Sequence, residues 1–325
     1  MTAPPTGSAT PGRPARTVFF GSGAFAVPIL EMLDDHAAVE LLAVVAPPDR
    51  PAGRGGVARP VPVAAAARSM GLRLLQPERL RAPETEVTVA ALEPDLGVLA
   101  DFGRIVPTGI LAIPPHGILN VHPSLLPLHR GATPIPATIL DGDPMAGVVV
   151  MAMDEGLDTG PIVASRGWTL DGTETAPELE ARAAREGAVL LAETIEPYLR
   201  GQRVIEPQAG RTTLTRPLRR EDGRLDPGRR AIELERQVRA YLPWPGSFLE
   251  TRAGRLAVLQ AAVAEGDPDD RPGDLVADGD GLALVAADGR LRLLAIQPAG
   301  GRPMSGAEYR RGHPAILGQP VGGAA

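Results

Sequence analysis

The chain has no cysteine, and all 33 of its Lys+Arg residues are arginine. It has a single asparagine, Asn120, and only 3% of its residues are aromatic. The missing thiols exclude disulfides and thiolate metal sites and fit a reducing cytosol, so a cytoplasmic location is expected. With five scattered histidines and no cysteine, no metal is expected either. No apolar run approaches the roughly 18 residues of a membrane-spanning helix. The first sixteen residues lack the apolar stretch of a secretory signal and read as a disordered tail. A net charge of −6 excludes global attraction to nucleic acid or an anionic membrane. What is present suffices for packed cores: the hydrophobic fraction is 44%, and a length of 325 residues suggests two domains.

Strand and helix signals alternate through the first half. "RTVFF" runs into a glycine turn, and a helix follows with Ala26, Leu30 and Leu33 on one stripe. Strands are expected over 39–46, 72–76, 95–100, 117–121 and 147–153, and helices over 62–71 and 176–201. That order predicts an α/β domain with a doubly wound, mostly parallel Rossmann-like sheet over 17–201. Residues 202–225 lack periodicity and read as a basic linker. A helix over 231–242 and five short strands with Gly-Asp turns predict a small oligomer-binding-like (OB-like) β-barrel over 226–316, with a tail over 317–325.

Three stretches could carry chemistry. "GSGAFA" (21–26) fits a dinucleotide fingerprint, but the second strand ends in apolar residues and prolines, with Asp49 already in the loop. A tight turn of small residues is the plainer reading, and a phosphate or ribose contact stays open. The loop 47–62, rich in glycine, proline and arginine, is either a solvated loop or an anion clamp built on Arg50, Arg54 and Arg59. In "ILNVHPSLLP" (118–127), Asn120 and His122 leave the end of a strand two residues apart, so both point to one face. An amide that donates without charge, beside a histidine, suits an acyl oxygen that gains negative charge. The alternative is a strand-end cap and a histidine packed on proline. "MDEGLDTGP" (153–161) brings three acids to another strand end. Asp158 differs from surface turn acids in its glycine-flanked turn, and a carboxylate beside His122 would raise that histidine's pKa.

Taken in order, "PDRPAGRG", "NVHPSLLP", "RGATPI", "MDEGLDTG", "RAYLPWPGS" and "IQPAGGRPMS" resemble the formyltransferases that use 10-formyltetrahydrofolate, and among them the methionyl-tRNA formyltransferase family. The resemblance covers about residues 17 to 315. It implies a catalytic domain, a linker and a barrel, with formyl transfer to the α-amine of methionine on initiator tRNA. It maps a catalytic triplet onto Asn120, His122 and Asp158. It implies folate contacts at Phe102, Gly103, Arg104, Ile105, Val106, Ser124, Leu125, Leu126, Pro127 and Asp154, and tRNA contacts at Arg50, Arg54, Arg216, Arg219 and Arg220. No metal is implied, and a monomer with no membrane role is expected. Protonated His122 and Asn120 would donate to the formyl oxygen, with Asp158 keeping the imidazole charged. Ser124 has no base beside it and reads as structural.

Two departures stand out: "ADFGRIVP" where the tRNA enzymes usually carry a form like "AYGxILP", and Leu128-His129 where a basic-aromatic pair is usual. Residues 211–240 hold nine arginines against five acids, so that segment is +4 in a chain of −6 and could track an acceptor stem. The rivals are a purine-pathway (glycinamide ribonucleotide) or sugar-nucleotide formyltransferase, a formyltetrahydrofolate hydrolase, and a mononucleotide-binding protein without catalysis.

Overall fold

The computed structural model describes residues 13–51 and 58–321. Its residues divide into two compact units. One holds the chain up to Pro134, then Met145–Thr169 and Glu180–Thr215; the other holds Ile135–Pro144, Leu170–Leu179 and the chain from Arg216 onward.

The first unit is built on seven strands: β1 (Ala15–Gly21), β2 (Val39–Val45), β3 (Leu74–Leu75), β4 (Leu96–Ala100), β5 (Ile118–His122), β6 (Met145–Ala152) and β7 (Ile162–Thr169). Their order is β7-β6-β5-β4-β1-β2-β3. The five from β3 to β5 pair in parallel, and β6 and β7 are antiparallel. The sheet is therefore mixed, with four of its six pairings parallel, in keeping with the mostly parallel sheet expected, and β7 was not anticipated because its burial alternates irregularly. β4 and β5 are buried at every position; β4 reads as a continuous apolar run, whereas β5 buries Asn120 and His122 among its apolar residues. Helices α1 (Val27–Asp35), α2 (Pro62–Ser69), α3 (Pro83–Ala90) and α4 (Thr108–Leu111) lie in the crossovers, and α1, α2 and α3 carry proline in their first turn, where no amide partner is lost. α5 (Pro134–Asp141) falls in the second unit but for Pro134, whereas most of α6 (Ala176–Leu199), from Glu180 onward, belongs to the first. The chain winds outward from β1 to β3 and then returns to the other side of β1 as β4. The carboxyl ends of β1 and β4 thus flank a switch point, where open α/β sheets place their sites.

The second unit contains α7 (Ala231–Ala240), strands β8 (Ser247–Thr251), β9 (Gly254–Ala264), β10 (Leu275–Asp278), β11 (Gly281–Ala286), β12 (Gly289–Pro298) and β13 (Met304–Ser305), and α8 (Gly306–Gly312). The sheet is antiparallel throughout, in order β8-β9-β12-β11-β10, with β13 on β12. β8 and β10 are not paired with each other, so this is an open sheet and not the closed barrel that was expected. Leu234 and Val238, one turn apart on α7, enter a core with Leu256, Leu284 and Ile296. The expected tail from 317 hydrogen-bonds back as far as Val321, whose amide donates to the Gly273 carbonyl at 2.8 Å.

Candidate active site

Asn120 and His122 sit on β5 between β4 and β6, and they are 5% and 4% exposed. The two-residue spacing puts both side chains on one side of the strand. Both face the loop that follows β6. That loop is shaped by Asp154, whose Oδ1 accepts from the Gly156 amide at 3.0 Å and from the Thr159 hydroxyl at 2.6 Å. Asp158 adopts a left-handed backbone, φ 52°, uncommon for a residue with a side chain. Its Oδ1 accepts from Asn120 Nδ2 at 3.4 Å, its Oδ2 accepts from the Gly131 amide at 2.7 Å, and Oδ2 lies 3.8 Å from His122 Nδ1. The structure thus brings the three residues together from a strand end and the loop that faces it.

The imidazole orientation follows from its partners. His122 Nε2 lies 3.1 Å from the His129 carbonyl, which can only accept, so Nε2 carries the hydrogen. Nδ1 is then the open nitrogen, facing Asp158. Burial pushes the His122 pKa below its ordinary value; the Asp158 charge and the His129 carbonyl pull the other way without restoring it. The ring is therefore neutral at neutral pH. This corrects the expectation that Asp158 keeps it protonated: removal from water outweighs one nearby carboxylate. A neutral amide donor, an open basic nitrogen and a carboxylate in one cluster can stabilise charge on an oxygen and accept a proton from a nitrogen.

The other residues implied by resemblance are placed variously. Phe102 and Val106 turn inward, Phe102 meeting Phe20 edge-on at 5.7 Å between ring centres. Between them Gly103 and Ile105 are exposed, Ile105 at 70%, and Arg104 Nη1 donates to the Pro77 carbonyl at 2.9 Å. Ser124 is buried and its hydroxyl donates to the Leu128 carbonyl at 2.6 Å, a structural turn. Leu126 packs on Val149 and Met151, Leu125 is half-buried and Pro127 buried. Arg50 is exposed and its backbone pairs with Arg59. Arg54 lies outside the described residues. Arg219 and Arg220 are exposed, and Arg216 forks onto Asp222 with contacts of 2.6 and 2.7 Å. Several arginines of the basic segment are likewise paired, including Arg230 with Asp288 and Arg239 with Glu235.

Two features escaped the sequence. At the switch point, Asp101 has φ 42°, and a Cβ on Gly23 would fall 1.7 Å from its Oδ2, so a side chain there would displace the Asp101 carboxylate. Although Asp101 is exposed as a residue, desolvation of its carboxyl against the turn, helped by Glu180, pushes it up to about 6. Asp49 accepts from Gln76 Nε2 at 2.8 Å and from Arg68 Nη1 at 2.9 Å, so each of its oxygens already has a partner. The second feature is the segment 206–215, expected as linker. It hydrogen-bonds along the loops that carry His129 and Asp158. Its residues are polar and non-periodic, so only their fixed partners could reveal them.

Comparison with known proteins adds the family. The formyl transferase model matches residues 15–195, and the formyl transferase C-terminal domain model matches residues 217–314. A methionyl-tRNA formyltransferase of Roseiflexus sp. (strain RS-1) is 43% identical over 313 residues, 96% of each chain. One from Thermus thermophilus is 40% identical over 310 residues, 94% of this chain and 99% of that one. Among solved structures, HypX from Aquifex aeolicus in complex with tetrahydrofolic acid superposes with a TM-score of 0.60 at 16% identity over 92% of this chain. The chain spans only 47% of HypX. An N-formyltransferase from Helicobacter canadensis, in complex with folinic acid and dTDP-3-aminofucose, superposes at 0.60 with 16% identity, covering 86% and 98%. These structures share the fold; the full-length matches at 40% and above carry the assignment, and the chain belongs to the formyl transferase family, among the methionyl-tRNA formyltransferases.

Proposed function

We propose that the chain transfers the formyl group of 10-formyltetrahydrofolate to the α-amino group of methionyl initiator tRNA, giving N-formylmethionyl-tRNA for translation initiation. The observation that carries this reading is the convergence of Asn120, His122 and Asp158 at the end of β5, in a chain 43% identical along its length to a methionyl-tRNA formyltransferase. The sugar-nucleotide enzymes share the fold at less than half that identity, which favours the tRNA acceptor.

10-Formyltetrahydrofolate supplies a formyl group carried on nitrogen. The segment 101–106 fits such a group: Gly103, at φ 67°, has nothing within 4 Å of a Cβ position, and exposed Ile105 offers an apolar face beside free backbone. Because Phe102 and Val106 point into the core, their contribution is backbone. Ser124–Pro127 and the Asp154 loop would complete the pocket wall. Asn120 Nδ2 donates to the formyl oxygen as charge gathers there. His122 Nδ1 takes the proton of the attacking amine, and the imidazolium so formed is held between Asp158 and the His129 carbonyl. The same nitrogen then returns a proton to the departing amine. No covalent bond to the protein is needed.

Arg50, Arg54, Arg216, Arg219 and Arg220 are the proposed phosphate contacts. The second unit is read as an OB-like tRNA-binding domain, 226–316, on an opened sheet, and 17–201 as the catalytic domain; of the joining segment 202–225, the stretch up to Thr215 is bonded into the first unit. The enzyme is proposed to act in the cytoplasm as a monomer, one chain supplying all three residues of the triplet. Purified protein with 10-formyltetrahydrofolate should formylate charged initiator tRNA and leave amino-sugar nucleotides and other free amines untouched. Formate release without an acceptor, or transfer to the small amines alone, would replace the tRNA reading.

A further inference from the structure

We infer that Gln208 is a positioning residue for the catalytic carboxylate. Residues 206–215, as part of the first unit, form a strap that fixes the active-site loops. This rests on the reaction proposed above. Glu206 exchanges backbone hydrogen bonds with Ile162 at 2.7 and 2.9 Å, anchoring the strap beside β7. Two residues on, Gln208 Nε2 donates to the carbonyl oxygens of Asp158 at 2.8 Å and Gly160 at 2.7 Å, while its Oε1 accepts from Arg130 Nε at 3.0 Å and Nη2 at 2.7 Å. Both amide hydrogens meet acceptors and the oxygen meets a guanidinium. A reversed amide would set oxygen against two carbonyls and NH₂ against a cation, so the orientation is fixed. Glutamate could keep the Arg130 contact but would bring no donor for the carbonyls.

What the amide holds is the peptide of Asp158, whose left-handed backbone aims the carboxylate at Asn120 and His122. The rest of the strap holds the facing loop. Thr213 Oγ1 accepts from the His129 amide at 2.7 Å, and the His129 carbonyl is the acceptor that sets His122. Leu214–Thr215 pairs in parallel with Arg130–Gly131, and Gly131, φ 108°, gives the Asp158 carboxylate its 2.7 Å amide. A Cβ on Gly131 would lie 2.4 Å from the Thr215 carbonyl, so the strap is in close contact with this loop. Strap residues thus brace the supports of two members of the triplet. An ångström of misplacement is enough to cost about a hundredfold in rate.

The test compares full-length wild type with Gln208→Glu, which keeps an acceptor for Arg130 and removes both donations, and Gln208→Met, which removes all four hydrogen bonds at similar volume. Both variants should lose about 10- to 100-fold in kcat. Both KM values should stay within about twofold and the melting temperature near wild type, as expected when only transition-state interactions are weakened. In Gln208→Met, the His122 imidazole, which faces Asp158 and His129, should titrate at lower pH by NMR because Asp158 has moved away. Wild-type kcat in Gln208→Glu would overturn the inference, as would losses confined to KM or an unshifted His122 titration. If Gln208→Met does not fold, Gln208→Glu decides through kcat and KM. If wild type formylates no tRNA, the proposed function fails, and the His122 titration still decides whether Gln208 positions Asp158.

Discussion

The triplet around His122 and the arginine segment around Arg216 are both polar and both assigned to substrate, yet they are built in opposite ways. Asn120 and His122 are nearly dry, and each contact around them runs to a fixed backbone or side-chain partner. Arg216, Arg219 and Arg220 are exposed, and the ion pairs of Arg216 with Asp222 and of Arg219 with Glu221 are screened by water. The difference reflects the two tasks. Steering charge on one oxygen needs oriented groups in a low-dielectric site, where each is worth far more than in water. Holding a phosphate backbone needs positive charge in reach, and its energy comes largely from released counterions, which tolerate loose geometry.

The largest effect should come from the dry side. Asn120→Ala, His122→Ala and Asp158→Ala should each lower kcat by about 10²–10³ and combine non-additively, because they act on one oxygen and one proton. Steady-state kinetics with circular dichroism to confirm folding is the check; near-normal turnover in any one removes that residue from the mechanism. Arg216→Ala, Arg219→Ala and Arg220→Ala should act on KM for tRNA alone. For each arginine that does neutralise a phosphate, the alanine variant should make the slope of log affinity against log salt shallower by about 0.7–0.9. Replacement by lysine should retain most of the binding. If lysine is as harmful as alanine, the segment is a geometric site and the contrast with the triplet breaks.

The protonation of His122 sharpens the comparison further. Its pKa lies below the ordinary value of about 6.5, so kcat/KM should rise with pH through that lowered pKa and level off at neutrality. A rate that instead falls as pH rises through the His122 titration would restore the protonated role. For stability the sign is the same: a depressed folded pKa gives stabilisation that is present above about 6.5 and lost as pH falls. Asp101 should give the smallest effect and the opposite sign. With its carboxyl raised from 3.8 to about 6, its contribution is present below 3.8 and lost as pH rises through about 6. Asp101→Asn keeps a residue tolerant of positive φ and removes the charge. It should stabilise the protein near pH 7.5 relative to pH 4, by no more than about 1 kcal/mol because the residue is exposed and water screens the shift. Thermal melts at the two pH values measure it.

The sequence by itself determined a good deal. Largely apolar runs marked β1, β2, β4 and β6, because strands buried on both faces are mostly apolar, and β5 was marked by its apolar residues despite Asn120 and His122. The spacing of Asn120 and His122 placed them on one side of a strand, since strand geometry has period two. Tertiary structure decided the rest. Burial, a property of packing and not of composition, lowers the His122 pKa despite the carboxylate beside it. The left-handed turn at Asp158 and the strap from Glu206 to Thr215 depend on hydrogen bonds between residues far apart in the chain, such as Gln208 to Asp158 and Thr213 to His129. Such bonds leave no periodicity, so a stretch that reads as a polar linker becomes part of the catalytic unit only when the chain folds.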